Sequence, residues 1–138
     1  MTIPGAKREQ VRRRAKRRCE YCYSHERFVY ASMQVDHIVP GSRGGSDDLA
    51  NLCWSCPRWN GSKGTGTQAR DPLTRRTTRL FNPRLDGWFD HFLWSKTGTY
   101  ILGRTDMGRA TVRALRMNRA LVVITRRNWV AAGWHPPS

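Results

Sequence analysis

Two groups of residues in this chain have the types and the spacing to do chemistry. The first is four cysteines, Cys19, Cys22, Cys53 and Cys56, arranged as two C-x2-C pairs. A two-residue gap lets one tight turn present both sulfurs to a tetrahedral ion, so two such pairs suit a structural Zn2+ site with four thiolate ligands. A disulfide framework is one alternative, and it belongs with secreted chains, whereas the opening MTIPGAKREQ lacks the apolar stretch of a signal peptide; buried inert cysteines are another, which the polar stretch RRCEYCYSHER disfavours for Cys19 and Cys22. The second group lies in VDHIVPGSRGGSDDLANLCWSCPRWNGSK, where Asp36 adjoins His37 and is followed by Asn51, Asn60 and Lys63. A neutral imidazole can take a proton from water near pH 7, which suits His37 to be a general base. Asp36 and the amide oxygen of Asn60 are hard donors fit for a divalent ion such as Mg2+ or Mn2+. Such an ion would bind a scissile phosphate and offset the charge of the transition state. Lys63, three residues after Asn60, would share its helical face and reach a phosphate.

These side chains need elements to hold them. FVYASMQVDHIVP alternates apolar and polar residues and is rich in β-branched and aromatic types, which predicts one or two strands ending at Pro40. On a strict strand Asp36 and His37 point to opposite faces, so the turn must distort if both are to work together. GSRGGSDDLAN is a loop, LCWSC a short apolar step, and Pro57 is placed for the first turn of a helix that holds PRWNGSK and stops near Gly64. From Gly64 to Pro72 the chain reads as a connection. Upstream, residues 7 to 18 (KREQVRRRAKRR) predict a solvated basic helix. Downstream, RLFNP, GWFDHFLW and TYILGRT read as strands. Thr105 caps a helix DMGRATVRALRMN whose Val112, Leu115 and Met117 form an incomplete apolar face, and a last helix ends at Gly133.

Composition narrows the partner. Of 138 residues, 25 are Lys or Arg against 10 Asp or Glu, a net charge of +15, and 21 of the cations are Arg. The planar guanidinium fork suits phosphate, so the expected partner is nucleic acid. The phosphate contacts expected are Arg12, Arg13, Arg14, Arg17, Arg18, Arg43, Arg75 and Arg76, which would position a duplex without reading its sequence. The length predicts one domain, and 38% hydrophobic residues with 14 aromatics support a modest core. No run is long and apolar enough for a membrane span, and the expectation is a soluble cytoplasmic protein. Trp54, Trp59, Trp88 and Trp94 fit the core better than base stacking. His91 fits a strand with a satisfied ring, and His25 and His135 fit the solvent-facing surface.

Asp36-His37 with Ile38 and Pro40, the Gly-Gly-Ser-Asp-Asp-Leu turn, Asn51-Leu52, Asn60, Lys63 and an upstream C-x2-C knuckle together resemble the HNH endonuclease family. RLFNPRLDGWFDHFLW and GRATVRALRMN are similar to the extension of small bacterial and phage-type members, so the resemblance spans about residues 15 to 133. It implies an α+β fold: a ββα-metal module stiffened by zinc, extended by a small antiparallel sheet and C-terminal helices. The single domain 1–138 then divides into a basic arm at 1–18, a zinc-supported core at 19–64 and an extension at 65–138. The implied activity is metal-dependent hydrolysis of double-stranded DNA, with Asn51 aligning the loop that aims His37. The family pattern C-P-R-C-N would put a cysteine at residue 59, where this chain has Trp59. Either Cys53 replaces that ligand, or the site keeps three thiolates with an outside ligand such as water or His25. Noncatalytic alternatives are a zinc-ribbon-like nucleic-acid-binding module, a toxin domain, and a subunit of a larger nuclease machine.

Overall fold

A computed structural model describes residues 3–57, 59 and 66–137. The fold is α+β, mixing helices with two-stranded antiparallel sheets. The chain divides into two compact units, one of residues Met1–Thr67 and Asn82–Leu85, the other of Gln68–Phe81 and Asp86–Ser138.

The first unit opens with helix α1, Gly5–Arg14. Its residues are good helix formers, and Glu9 pairs with Arg12 and Arg13 one turn on. Val11 is its one fully buried side chain, and the helix packs on strand β2 (Leu52–Ser55). α1 stops four residues short of the expected Arg18. Lys16 and Arg17 adopt left-handed φ angles of 56° and 62°, and Arg17 N–H closes on the Arg12 carbonyl at 3.0 Å. That reversal delivers the chain to Cys19 at the cost of conformations uncommon outside glycine. A single strand, β1 (Gln34–His37), forms from the FVYASMQVDHIVP stretch; Glu26–Phe28 is a 3-10 turn instead. β1 pairs antiparallel with β2 in the register Val35↔Trp54, Asp36↔Cys53, His37↔Leu52. Every residue of β2 is buried, as its apolar LCW run dictates. Pro57 and Trp59 have helical backbone, as expected; the other residues of the expected helix PRWNGSK, Asn60 and Lys63 among them, lie outside the described residues.

In the second unit, strand β3 (Gln68–Arg70) pairs with β4 (Thr77–Arg79), so part of the stretch expected as a bare connection is a hairpin. Asp71 builds its turn, accepting from the Leu73 and Thr74 amides. RLFNP is not a strand, since only Arg79 of it belongs to β4. GWFDHFLW also departs from expectation: Trp88–His91 forms a short helix α2, and only Phe92–Trp94 is strand β5, paired with β6 (Ile101–Gly103). A short run of aromatic and apolar residues satisfies either period, and packing of Trp88 against Phe92 and Trp94 decides it. Thr105 caps helix α3 (Asp106–Ala114) by accepting from the Gly108 amide at 3.0 Å. A Cβ on Gly108 would sit 2.0 Å from the His91 carbonyl oxygen, so glycine there lets the helix close on the chain before β5. Leu115 and Met117 are fully buried, as is Arg126 of helix α4 (Ala120–Ala131), which donates to the Thr99 and Met117 carbonyls and to Asn118. Gly133 ends the last helix with φ of 81°.

Candidate active site

The loop between β1 and β2 is tied by one side chain. Asn51 Oδ1 accepts from the Val39 amide at 2.8 Å, while its Nδ2 donates to the Val39 carbonyl at 2.9 Å and to the Ser46 carbonyl at 2.8 Å. Asn51 thereby joins both ends of the loop that follows His37. Only glycine fits beneath this staple at residue 45, where a Cβ would lie 1.6 Å from the Val39 carbonyl oxygen and 2.9 Å from Asn51 Nδ2. Gly44 turns the chain with φ of 87°.

His37 ends β1 with its side chain 30% exposed. Its Nε2 lies 2.7 Å from Oδ1 of Asp47, a residue that sequence reasoning had placed only in a turn. Nothing in the local sequence marks that partnership, because ten residues separate the two and only the folded loop brings them together. Asp36 is 4% exposed and accepts a hydrogen bond from the Tyr21 hydroxyl at 3.1 Å. β1 stays regular through His37, so strand alternation sends the Asp36 and His37 side chains to opposite faces without the anticipated distortion. The Asp36 carboxylate has the chemistry of a hard-ion ligand; its partner in the expected set, Asn60, lies outside the described residues, as does Lys63.

Three thiols form one buried group. The sulfurs of Cys19, Cys22 and Cys56 all lie within 4.8 Å of one another, with Cys22 and Cys56 at 3.8 Å. The Cys56 amide donates to the Cys19 sulfur at 3.5 Å, and Tyr23, in the left-handed region at φ 62°, closes the first knuckle through the Cys19 carbonyl. Burial pushes the Cys19 thiol well above its usual range, whereas at Cys22 the same effect of burial is outweighed by hydrogen bonds with Cys19, Cys56 and Ser24, which hold that thiol below its own. The donor set is soft and fits zinc. Among the described residues this group does not include Cys53, the expected fourth ligand. Cys53 faces Asp36 directly across the sheet, which fixes its side chain beside that carboxylate, with its sulfur 3.7 Å from the Tyr21 hydroxyl. Trp59 is 2% exposed, and an indole N–H donates but cannot ligate. His25 is not in the group either; its Nδ1 accepts from the Arg27 amide.

The arginines expected at phosphate divide by position. Arg12 is held between Glu9 and Glu26 in charge-assisted hydrogen bonds of 2.9 to 3.2 Å, and Arg14 donates to the Leu49 and Leu52 carbonyls. These two brace the fold. Arg18 donates to the Tyr23 carbonyl. Arg17, Arg43 and Arg75 are exposed, as are Arg13, beside Glu9, and Arg76, 3.7 Å from Asp106. Trp54, Trp59 and Trp88 are buried, as expected, with Arg8 stacked 4.7 Å over the Trp54 ring. His91 sits in α2 with Nδ1 2.7 Å from the Thr105 hydroxyl. His135 is corrected from the surface to the core: it is 6% exposed, packed edge-on against Trp94.

The same stretch of chain thus carries a tied loop that presents a part-exposed histidine and a buried group of three thiols that could hold a metal ion. Residues 19–66 match the family model for HNH endonuclease. The match spans about a third of the chain and takes in Cys19, Cys22, Cys56, Asp36, His37, Asn51, Asn60 and Lys63. No curated protein and no solved structure matches the chain. No helix among the described residues is long and apolar enough to cross a membrane.

Proposed function

We propose that this chain is a metal-dependent endonuclease that hydrolyses phosphodiester bonds of double-stranded DNA with His37 as general base. The observation that carries the reading is the placement of His37 at the end of β1, in an HNH segment, on a loop tied by Asn51 and beside the acceptor Asp47. A base of this kind must be held in one orientation and still reach solvent, and a side chain 30% exposed on a pinned loop meets both needs. The attacking water gives a proton to the imidazole, its oxygen bonds to phosphorus, and the bond from phosphorus to the 3′ oxygen breaks. The leaving oxygen takes a proton from solvent. Asp36 and Asn60 would hold a Mg2+ or Mn2+ ion, which when bound supplies positive charge at the scissile phosphate; this requires the end of β1 to distort so that the Asp36 carboxylate reaches the side of His37. Lys63 and the exposed arginines, Arg13, Arg17, Arg43, Arg75 and Arg76, hold the DNA backbone. Cys19, Cys22 and Cys56 would hold a structural Zn2+ ion and so tie the first knuckle to the chain just after β2.

A second reading, a noncatalytic zinc-supported nucleic-acid-binding module, is favoured by one feature: Asp36 is buried on the face opposite His37. Plasmid nicking at low salt with Mg2+, Mn2+ or EDTA separates the two. The nuclease cuts with metal, fails in EDTA and loses cutting in His37→Ala while still retarding DNA on a gel. The binding module retards DNA and cuts under none of these conditions.

A further inference from the structure

We propose that Asp47 is the positioning residue for His37, fixing the ring as the tautomer that carries its proton on Nε2 and leaves Nδ1 to accept the proton of the attacking water. The inference rests on the nuclease reading and adds a residue to it. An ionised carboxylate only accepts hydrogen bonds, so at 2.7 Å the nitrogen facing Asp47 Oδ1 must be the donor. The hydrogen bond made by one ring nitrogen sets what the other can do. A base oriented in this way by a third group is a recurring arrangement in hydrolytic sites.

The surroundings distinguish this contact from a casual surface pair, which contributes little when both chains are mobile. Both side chains are about 70% covered, at 30% and 29% exposure. The Asp47 backbone is pinned on several sides. Lys7 Nζ of α1 donates to its carbonyl at 2.8 Å, the Ser46 carbonyl before it is held by Asn51 at 2.8 Å, and the Asp48 amide after it donates to the Ser46 hydroxyl at 3.2 Å. The Gly45 amide anchors the same turn on the Pro40 carbonyl at 2.9 Å. The carboxylate is thus held at a fixed position relative to the strand end that carries His37. An asparagine there could turn either its oxygen or its amide nitrogen to the ring, and the second choice puts the proton on Nδ1.

The test is Asp47→Asn and Asp47→Glu beside the parent and His37→Ala, read in two ways. Imidazole 15N shifts of the neutral ring should show His37 protonated on Nε2 in the parent and a mixture of tautomers in Asp47→Asn. Single-turnover cleavage by Asp47→Asn should fall about 10- to 100-fold with DNA affinity unchanged, and Asp47→Glu should recover part of the rate. A parent ring protonated on Nδ1, or an Asp47→Asn variant with parental tautomer and parental rate, overturns the proposal. Cleavage by His37→Ala at the parental rate overturns the nuclease assignment of His37 itself and takes the role of Asp47 with it. Circular dichroism of Asp47→Asn matching the parent separates these results from loss of folding, and the nitrogen shifts do not depend on activity.

Discussion

Replacing Asn51 tests whether its amide holds the loop. In Asn51→Ala all three hydrogen bonds, at 2.8, 2.9 and 2.8 Å, are lost. At about 1 kcal/mol net for each, and with water able to reach part of the site, the cost is about 1 to 2 kcal/mol. Asn51→Asp is nearly isosteric and keeps the acceptor for the Val39 amide. Its second oxygen, however, faces the Val39 and Ser46 carbonyl oxygens at the 2.9 and 2.8 Å where an N–H stood. Two attractive contacts become repulsive ones, so the loop must open, and the cost rises to about 2 to 3 kcal/mol. The assay is urea unfolding with metal present, accompanied by hydrogen exchange at the Val39 amide. The expected order is parent, then Asn51→Ala, then Asn51→Asp, with faster Val39 exchange in the alanine variant. If Asn51→Asp matches the parent, or costs less than alanine, the two donor contacts do not tie the loop and the reasoning fails.

Gly45→Ala should cost about 1 to 3 kcal/mol in the same unfolding assay, because its Cβ would lie 1.6 Å from the Val39 carbonyl oxygen; a variant as stable as the parent would show that the turn has room. Metal analysis of purified protein should find zinc lost in Cys22→Ser and Cys56→Ser but retained in Cys53→Ser, whose sulfur faces Asp36 instead of the cluster. The Arg109 guanidinium, aided by the Leu73 and Thr74 amides and the Thr74 hydroxyl against the opposing effect of burial, holds Asp71 well below the usual carboxylate range. A depressed folded-state value contributes stability that is present above the unfolded value of about 3.9 and lost as pH falls below it. Thermal melts of the parent should therefore drop steeply below about pH 4, and Asp71→Asn should be less stable at neutral pH with a shallower acid decline.

What the sequence made legible is local. The first C-x2-C knuckle, the Thr105 cap, Pro57 at a helix start and Gly133 at a helix end each depend on a few neighbouring residues, and the structure has them in place. The misses depend on pairing across distance. Cys53 looks like a knuckle ligand until the register puts it opposite Asp36, and one residue of slip would have reversed its face. GWFDHFLW is too short and too aromatic for periodicity to separate helix from strand, so Trp88 packing settles it. Asp47 could be found as a turn residue but not as the partner of His37, because the loop must close before the two meet. Arg12 and Arg14 belong to the basic run by composition, yet Glu26 and the Leu49 and Leu52 carbonyls claim them for the fold.

The central claim is that His37 performs proton transfer in DNA cleavage. Single-turnover cutting of a labelled duplex, with DNA affinity measured on the same preparations, tests it most directly. The account predicts a parental rate that requires a divalent ion and falls by at least about 100-fold in His37→Ala, with affinity unchanged. Cleavage by His37→Ala at the parental rate, or tight binding by the metal-loaded parent with no cleavage at all, would contradict it.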